Sequence, residues 1–306
     1  MAAQPLHVGV ELGGTKIVVG TSTGGPDLEA RTTIATGEPE STLGAVRDAI
    51  VSATRGRSLS GVGIGTFGPI DLRPSSPNFG RLVNTPKPGW SGVDIVRGVR
   101  GKLETPIALD TDVNAALLAE HRWGAATADE AAYLTIGTGI GGGVWAGGGV
   151  ISGANHPEIG HLRVPRHPND SYAGGCPYHG GCLEGMASGS AINERWGSPA
   201  DALGPGTDEA VAMISWYVAQ GIAGLCAVVP VTQVVVGGGV SRLPEFHTAI
   251  AGHLEEVTGG YPPVPFAEGG PGILSPGLGD DSGVIGAIEL SRSVLQNPTG
   301  GSASSG

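Results

Sequence analysis

Apolar positions along the chain fall into short and long runs. HVGVEL (residues 7–12) and KIVVGTS (16–22) flank Gly13-Gly14-Thr15, which predicts a strand, a tight turn and a second strand. The same unit recurs where AAYLTI (131–136) and GVWAGG (143–148) flank GTGIGGG, residues 137–143. Two glycine-turned hairpins suggest a duplicated lobe, each half opening with the same device. Longer runs place apolar residues at helical spacing over 43–53, 112–123, 183–196, 208–229, 244–257 and 282–295. Alternation of strands and helices predicts the α/β class.

Composition then removes several function classes. A chain of 306 residues, 40% apolar, is long enough for two lobes with substantial cores. A net charge of -11 repels a phosphate backbone, and the basic residues are scattered, so nucleic acid is not the expected partner. No run reaches the length of a membrane span and the N-terminus has no basic segment leading into an apolar one, so the expectation is a soluble, cytoplasmic protein without a membrane partner. Three cysteines cannot all pair. Cys226 lies in the apolar helical run MISWYVAQGIAGLCAVV and reads as core. The small, polar tail, residues 299–306, reads as disordered.

Glycine turns suit phosphate, because backbone N–H groups without a side chain in the way can close on an anion. They also serve as ordinary hairpin turns. GTGIGGG contains a G-x-G-x-x-G string, but a strand follows it where a dinucleotide fold needs a helix, and no P-loop sequence occurs. Between the hairpins, LDTDVNAALLAEHRWGAA puts Asp112 after the short strand IAL and before a helix. Asp112 can serve as the helix N-cap or present its carboxylate at the strand end. Asp110 shares its strand face if the strand continues that far. Glu120, two turns along, reads as a surface or helix-packing residue.

The densest chemistry lies in CPYHGGCLEG, residues 176–185. Cys176, His179 and Cys182 supply two thiolates and an imidazole, which zinc takes tetrahedrally. A fourth ligand is needed, and His161 competes with His156 and His167. Four protein ligands make such a zinc structural.

GVELGGTKI, GTFGPIDL, NTPKPGW, LDTDVNAALLAEHRWGAA, GTGIGGG, HPEIGHLRVPRHPND, CPYHGGCLEGMASG and VVVGGGV, in that order, resemble the ROK family of repressors and sugar kinases, specifically its bacterial fructokinase branch. The resemblance implies an actin-like sugar-kinase fold: two α/β lobes, an interlobe cleft, and one hairpin from each lobe against the phosphates of ATP. Residues 1–111 with 283–298 would form the smaller lobe, and residues 112–282 the larger, zinc-binding one. The family's repressors carry a DNA-binding segment before the first hairpin. Only Met1 to His7 precede Val8 here, which favours the kinases.

Carried over by resemblance, Asp112 matches the catalytic base, and Glu158, His161 and Glu184 match residues that contact sugar, with Asn84 a further candidate. Gly13, Gly14, Thr15, Lys16, Thr138 and Gly139 would surround the ATP phosphates, and Gly238 and Gly239 would lie near the adenosine. His161 could bind zinc through one ring nitrogen and face the sugar with the other. Glu11 stands where most glucokinase-like relatives have aspartate near Mg²⁺, and Thr111 stands where they have asparagine. Both departures fit the fructokinase branch, and the shorter Thr111 side chain would then disfavour a pyranose. The implied activity is ATP-dependent phosphorylation of a hexose, D-fructose first, with glucose, mannose, an amino sugar or a non-catalytic sugar sensor as alternatives. A homodimer is the family's expectation.

Overall fold

The computed structural model describes residues 5–261 and 272–296, so the tail at 299–306 lies outside the described residues. In chain order the elements are β1 (Leu6–Leu12), β2 (Lys16–Ser22), β3 (Ala30–Ala35), α1 (Pro39–Thr54), β4 (Leu59–Thr66), α2 (Ile95–Arg100), β5 (Ile107–Thr111), α3 (Asp112–Trp123), β6 (Ala131–Ile136), β7 (Ile140–Ala146), β8 (Gly149–Val150), α4 (Leu183–Ala187), α5 (Gly189–Trp196), α6 (Thr207–Val228), β9 (Gln233–Gly237), α7 (Phe246–Thr258), β10 (Ile273–Leu274) and α8 (Ser282–Gln296). The chain divides into two compact units.

The first unit takes the chain up to Trp123, residues 152–156, and the chain from Asp281 onward. Its sheet has the order β3-β2-β1-β4-β5, antiparallel across β1, β2 and β3, and parallel from β1 to β4 to β5. Buried positions run almost unbroken along β1 and β4 because helices pack on these strands, as parallel strands require. Register places Glu11 opposite Gly65, and Gly65 opposite Asp110. The C-terminal ends of β1, β4 and β5 therefore lie side by side, the edge at which α/β sheets bind ligands.

The first compact unit runs on past residue 111 to Trp123. Helix α3 packs on α8 so closely that a Cβ at Gly286 would stand 1.7 Å from the Ala115 carbonyl oxygen. Residues 152–156 join the same unit through Asn155, whose side chain bonds Ile70 O at 2.9 Å and Leu72 N at 3.1 Å.

The second unit takes residues 124–151 and 157–280. Its sheet, β10-β9-β6-β7-β8, repeats the first plan: β6 pairs antiparallel with β7 across a hairpin and parallel with β9. The core gathers on α6. This is the one described helix long and apolar enough to cross a membrane, but 61% of its apolar window is buried in the protein. Cys226, on that helix, is 1% exposed, and burial pushes its thiol up to about 11.

Two predicted elements differ. The second hairpin's return strand begins at Ile140, paired with Ile136, so Gly141 to Gly143 lie inside the strand and the turn is only Gly137-Thr138-Gly139. The helix predicted over 183–196 is two helices, broken at an extended Ser188. Ser188 Oγ accepts from Ala191 N and caps α5, while Gly189 N turns to Gly137 O at 2.7 Å. Bonds to the hairpin thus replace the helical bonds that would have continued α4.

Candidate active site and metal centre

In the first unit the hairpin loop is closed by Gly13 N donating to Lys16 O at 3.0 Å. Thr36 holds it from outside: its hydroxyl donates to Gly13 O at 2.8 Å and its N–H to Thr15 O at 3.0 Å. A Cβ built on Gly14 meets nothing within 4 Å. Thr15 and Lys16 are exposed.

Glu11, one residue before β1 ends, is half-buried, but its Oε2 is fully buried with no hydrogen-bond partner. Burial, then the nearby Asp112 carboxylate, pushes Glu11 up to about 7, against a weaker pull from Lys16 and Arg31. Two carboxylates and an orphaned buried oxygen form a donor set of the oxygen type that Mg²⁺ takes.

Asp112 is the first residue of α3. The N-cap bond expected of it is made instead by Thr111, whose Oγ1 accepts from Asn114 N at 3.2 Å. Asp112 Oδ1 accepts from the adjacent Val113 N at 2.9 Å. Thr111 is 3% exposed, and its oxygen caps the helix. Asp110 continues the strand, and its Oδ1 accepts from Thr111 N and from Asn114 Nδ2, both at 2.7 Å. Asn114 carried no signal in the motif reading. The clue was Asp110 four residues ahead of an amide across a strand-to-helix boundary. Asn84 lies exposed on the loop between β4 and α2, at φ 52°, a left-handed conformation that asparagine tolerates.

In the second unit the hairpin turn is fixed by α4 and α5. Gly137 N donates to Gly139 O at 2.9 Å, and Ser190 Oγ to Thr138 O at 2.8 Å. Glu184 Oε2 accepts from Ile140 N at 3.0 Å and stands 2.6 Å from where a Cβ on Gly139 would lie. One Glu184 oxygen therefore supports the hairpin. Glu158 is exposed and precedes a short 3-10 turn, in which His161 N donates to Glu158 O at 2.9 Å. Gly238, after β9, has φ 89°, and a Cβ there would lie 2.5 Å from Ile136 O. Packing against β6 is enough to require glycine at 238, whereas Gly239 faces open space.

His161, Cys176, His179 and Cys182 converge, with their ligand atoms all within 4.8 Å of one another. Backbone pairing builds the cluster. Cys176 and Gly180 exchange N–H···O bonds at 3.2 and 2.9 Å, closing a knuckle around His179. Leu183 N donates to Leu162 O at 2.9 Å, drawing Cys182 beside His161. His161 Nδ1 faces Cys176 Sγ at 3.8 Å and Cys182 Sγ at 3.6 Å, and His179 Nδ1 faces Cys176 Sγ at 3.7 Å. The two other histidines considered as fourth ligand lie elsewhere. His156 belongs to the first unit, where its Nε2 accepts from Ile70 N at 3.2 Å. His167 Nδ1 accepts from Asn169 N at 3.2 Å, and its ring packs edge-on to Trp216. Two sulfur and two nitrogen donors fit tetrahedral zinc, with no position left for substrate.

Two mixed sheets with helices, each opening on a glycine-turned hairpin, form the actin-like fold that the solved sugar-kinase structures share. The ROK family model matches residues 7–294, and the chain belongs to the ROK family. It is 38% identical over 286 residues to the fructokinase of Zymomonas mobilis, covering 92% of this chain and 94% of that protein. It is 34% identical to the fructokinase of Pediococcus pentosaceus, covering 94% and 98%. The crystal structure of the ROK hexokinase from Thermus thermophilus superposes with a TM-score of 0.73 at 30% identity, covering 95% of this chain and 99% of that one.

Proposed function

We infer that the chain is a fructokinase, moving the terminal phosphoryl group of ATP to the 6-hydroxyl of D-fructose. The observation that carries this is 34–38% identity to fructokinases over more than nine-tenths of the chain. Asp112 is the base. No ordinary carboxylate deprotonates an alcohol outright, so Asp112 orients the acceptor hydroxyl and takes its proton as the new P–O bond forms and ADP leaves. Its place in the first turn of α3 supports this role, because Thr111 does the capping.

Backbone N–H groups of Gly14 and Thr15, with Lys16, on the turn that Gly13 closes, and those of Thr138 and Gly139 meet the phosphates of ATP, and Gly238 and Gly239 border the adenosine. Glu11 with Asp112 would hold Mg²⁺, which when bound offsets the charge of the phosphate oxygens. Glu158, His161, Glu184 and Asn84 contact sugar hydroxyls, which ionised carboxylates receive as acceptors. His161, Cys176, His179 and Cys182 hold a structural zinc, and His161 Nε2 remains for the pocket. The enzyme works in the cytoplasm, and the homodimer is part of the same proposal.

Similarity to the Thermus thermophilus hexokinase supports a second reading as a kinase of broader hexose range. A coupled ADP-release assay over fructose, mannose, glucose and N-acetylglucosamine separates the two. A fructokinase turns over fructose best, whereas comparable kcat/KM across the panel selects the broader enzyme.

A further inference from the structure

We propose that Asp110 and Asn114 are positioning residues that aim the Asp112 carboxylate through a closed hydrogen-bond ring around the β5–α3 turn. The proposal rests on the reading of Asp112 as the base.

Three bonds close the ring. Thr111 N and Asn114 Nδ2 both donate to Asp110 Oδ1 at 2.7 Å, and Asn114 N donates to Thr111 Oγ1 at 3.2 Å. Asn114 thus ties both residues before Asp112 to the residue two places after it. None of the three bonds uses the Asp112 side chain. Successive residues of a helix turn by about 100°, so any slip in the first turn of α3 swings the Asp112 carboxylate away from its acceptor.

On its other side the turn has no slack. A Cβ at Gly65 on β4 would stand 3.2 Å from the Asp112 Cα and 2.9 Å from the Ala115 Cβ. The turn is therefore pressed against a bare strand and tied by the ring.

The chemistry of the ring marks it as more than packing. Asn114 is 2% exposed, and its Oδ1 is buried with no hydrogen-bond partner. Burial pushes the Asp110 carboxyl above the usual carboxylate range, with the Asn114 and Thr111 N–H groups and then His156 opposing. Apolar side chains would fill this space at lower cost, since a buried carboxylate and an unpaired amide oxygen both destabilise a core. Three directional bonds around one residue give an angular constraint that apolar packing does not.

The test is a double-mutant cycle on purified full-length protein with fructose and Mg·ATP. Asn114→Ala lowers kcat about tenfold, because small misplacement of a reacting group is expensive in rate. KM for both substrates stays within about twofold, since only transition-state geometry is lost. In an Asp112→Asn background the same substitution causes no further loss, because it acts through Asp112. Asp110→Asn stays within about threefold of wild-type kcat, its amide oxygen accepting the same two N–H groups, whereas Asp110→Ala matches Asn114→Ala. Should Asn114→Ala not fold, Thr111→Val breaks the ring isosterically and carries the same cycle.

Equal losses from Asn114→Ala in both backgrounds, or KM rising in step with the loss of kcat, overturn the proposal. Retention of more than about a tenth of kcat by Asp112→Asn alone removes the base reading, and this proposal falls with it.

Discussion

The turn Asp110–Asn114 in the first unit and the cluster His161, Cys176, His179 and Cys182 in the second are both small gatherings of polar side chains in largely buried surroundings. They are completed in opposite ways. The turn ties itself together through its own N–H groups, which meet oxygens at 2.7 to 3.2 Å. In the cluster, sulfur and ring nitrogen stand 3.6 to 3.8 Å apart, and all four side chains present lone pairs to one centre. On the proposed reading a zinc ion completes that arrangement. Direction held by protein bonds degrades by degrees when one bond is lost, whereas an arrangement completed by an ion is lost all at once.

The largest effect separating the two regions is on stability. The expected outcome is one zinc per chain by metal analysis of purified protein, with Cys182→Ser losing both zinc and much of its melting temperature. Structural zinc supplies on the order of 10 kcal/mol of folding free energy. Burial pushes the Cys182 thiol up to about 11, so reloading the apoprotein at neutral pH releases protons that calorimetry in two buffers detects. Metal-free protein with an unchanged melting temperature contradicts the zinc assignment.

Asp112→Asn gives the next largest effect and the opposite signature. Its melting temperature holds while kcat falls at least about a hundredfold, the low end for a positioned acid or base. A parallel fall in stability would make Asp112 structural.

Glu11 gives a smaller, pH-dependent effect. Its folded value, about 7, lies above the 4.5 of an exposed glutamate. Between those values the unfolded chain has released the proton and the folded chain keeps it, so stability falls as pH rises through that window. Glu11→Gln removes this fall, on the order of 2 kcal/mol, in denaturant midpoints measured at pH 4.5, 6 and 8. An unchanged pH profile would mean that the carboxyl is ordinary.

The smallest effect on stability belongs to Thr111→Ala. Loss of the cap costs about 1 kcal/mol of stability, while the preference between fructose and glucose stays within about twofold, because a sugar does not reach a buried hydroxyl. A collapse of that preference would return Thr111 to the sugar pocket.

The sequence already carried the two hairpins, most helices and the Cys-x-x-His-x-x-Cys spacing, because each depends on residues close in the chain. What escaped depended on distant partners. In strand β4, LSGVGIGT, Val62 and Ile64 alternate with Gly61, Gly63 and Gly65, which carry no strand signal because helices press on that face; a Cβ at Gly63 would lie 1.7 Å from Ala287 O. The break at Ser188 interrupts a good helical period for bonds to Gly137 and Thr138. Spacing named His161 with His156 and His167 as competing choices, and the pairing of Leu183 with Leu162 brings His161 to the sulfurs. Thr111 looked like a specificity residue by alignment of motifs, and only the position of the Asn114 N–H reveals it as a cap.

The most direct measurement is kcat/KM for fructose and glucose under matched Mg·ATP, with the product's phosphate position read by NMR. A fructokinase with this site favours fructose by at least about tenfold, the 1.4 kcal/mol that one hydrogen-bond difference supplies, and yields the 6-phosphate. Equal or better use of glucose, or no turnover of either sugar, contradicts it.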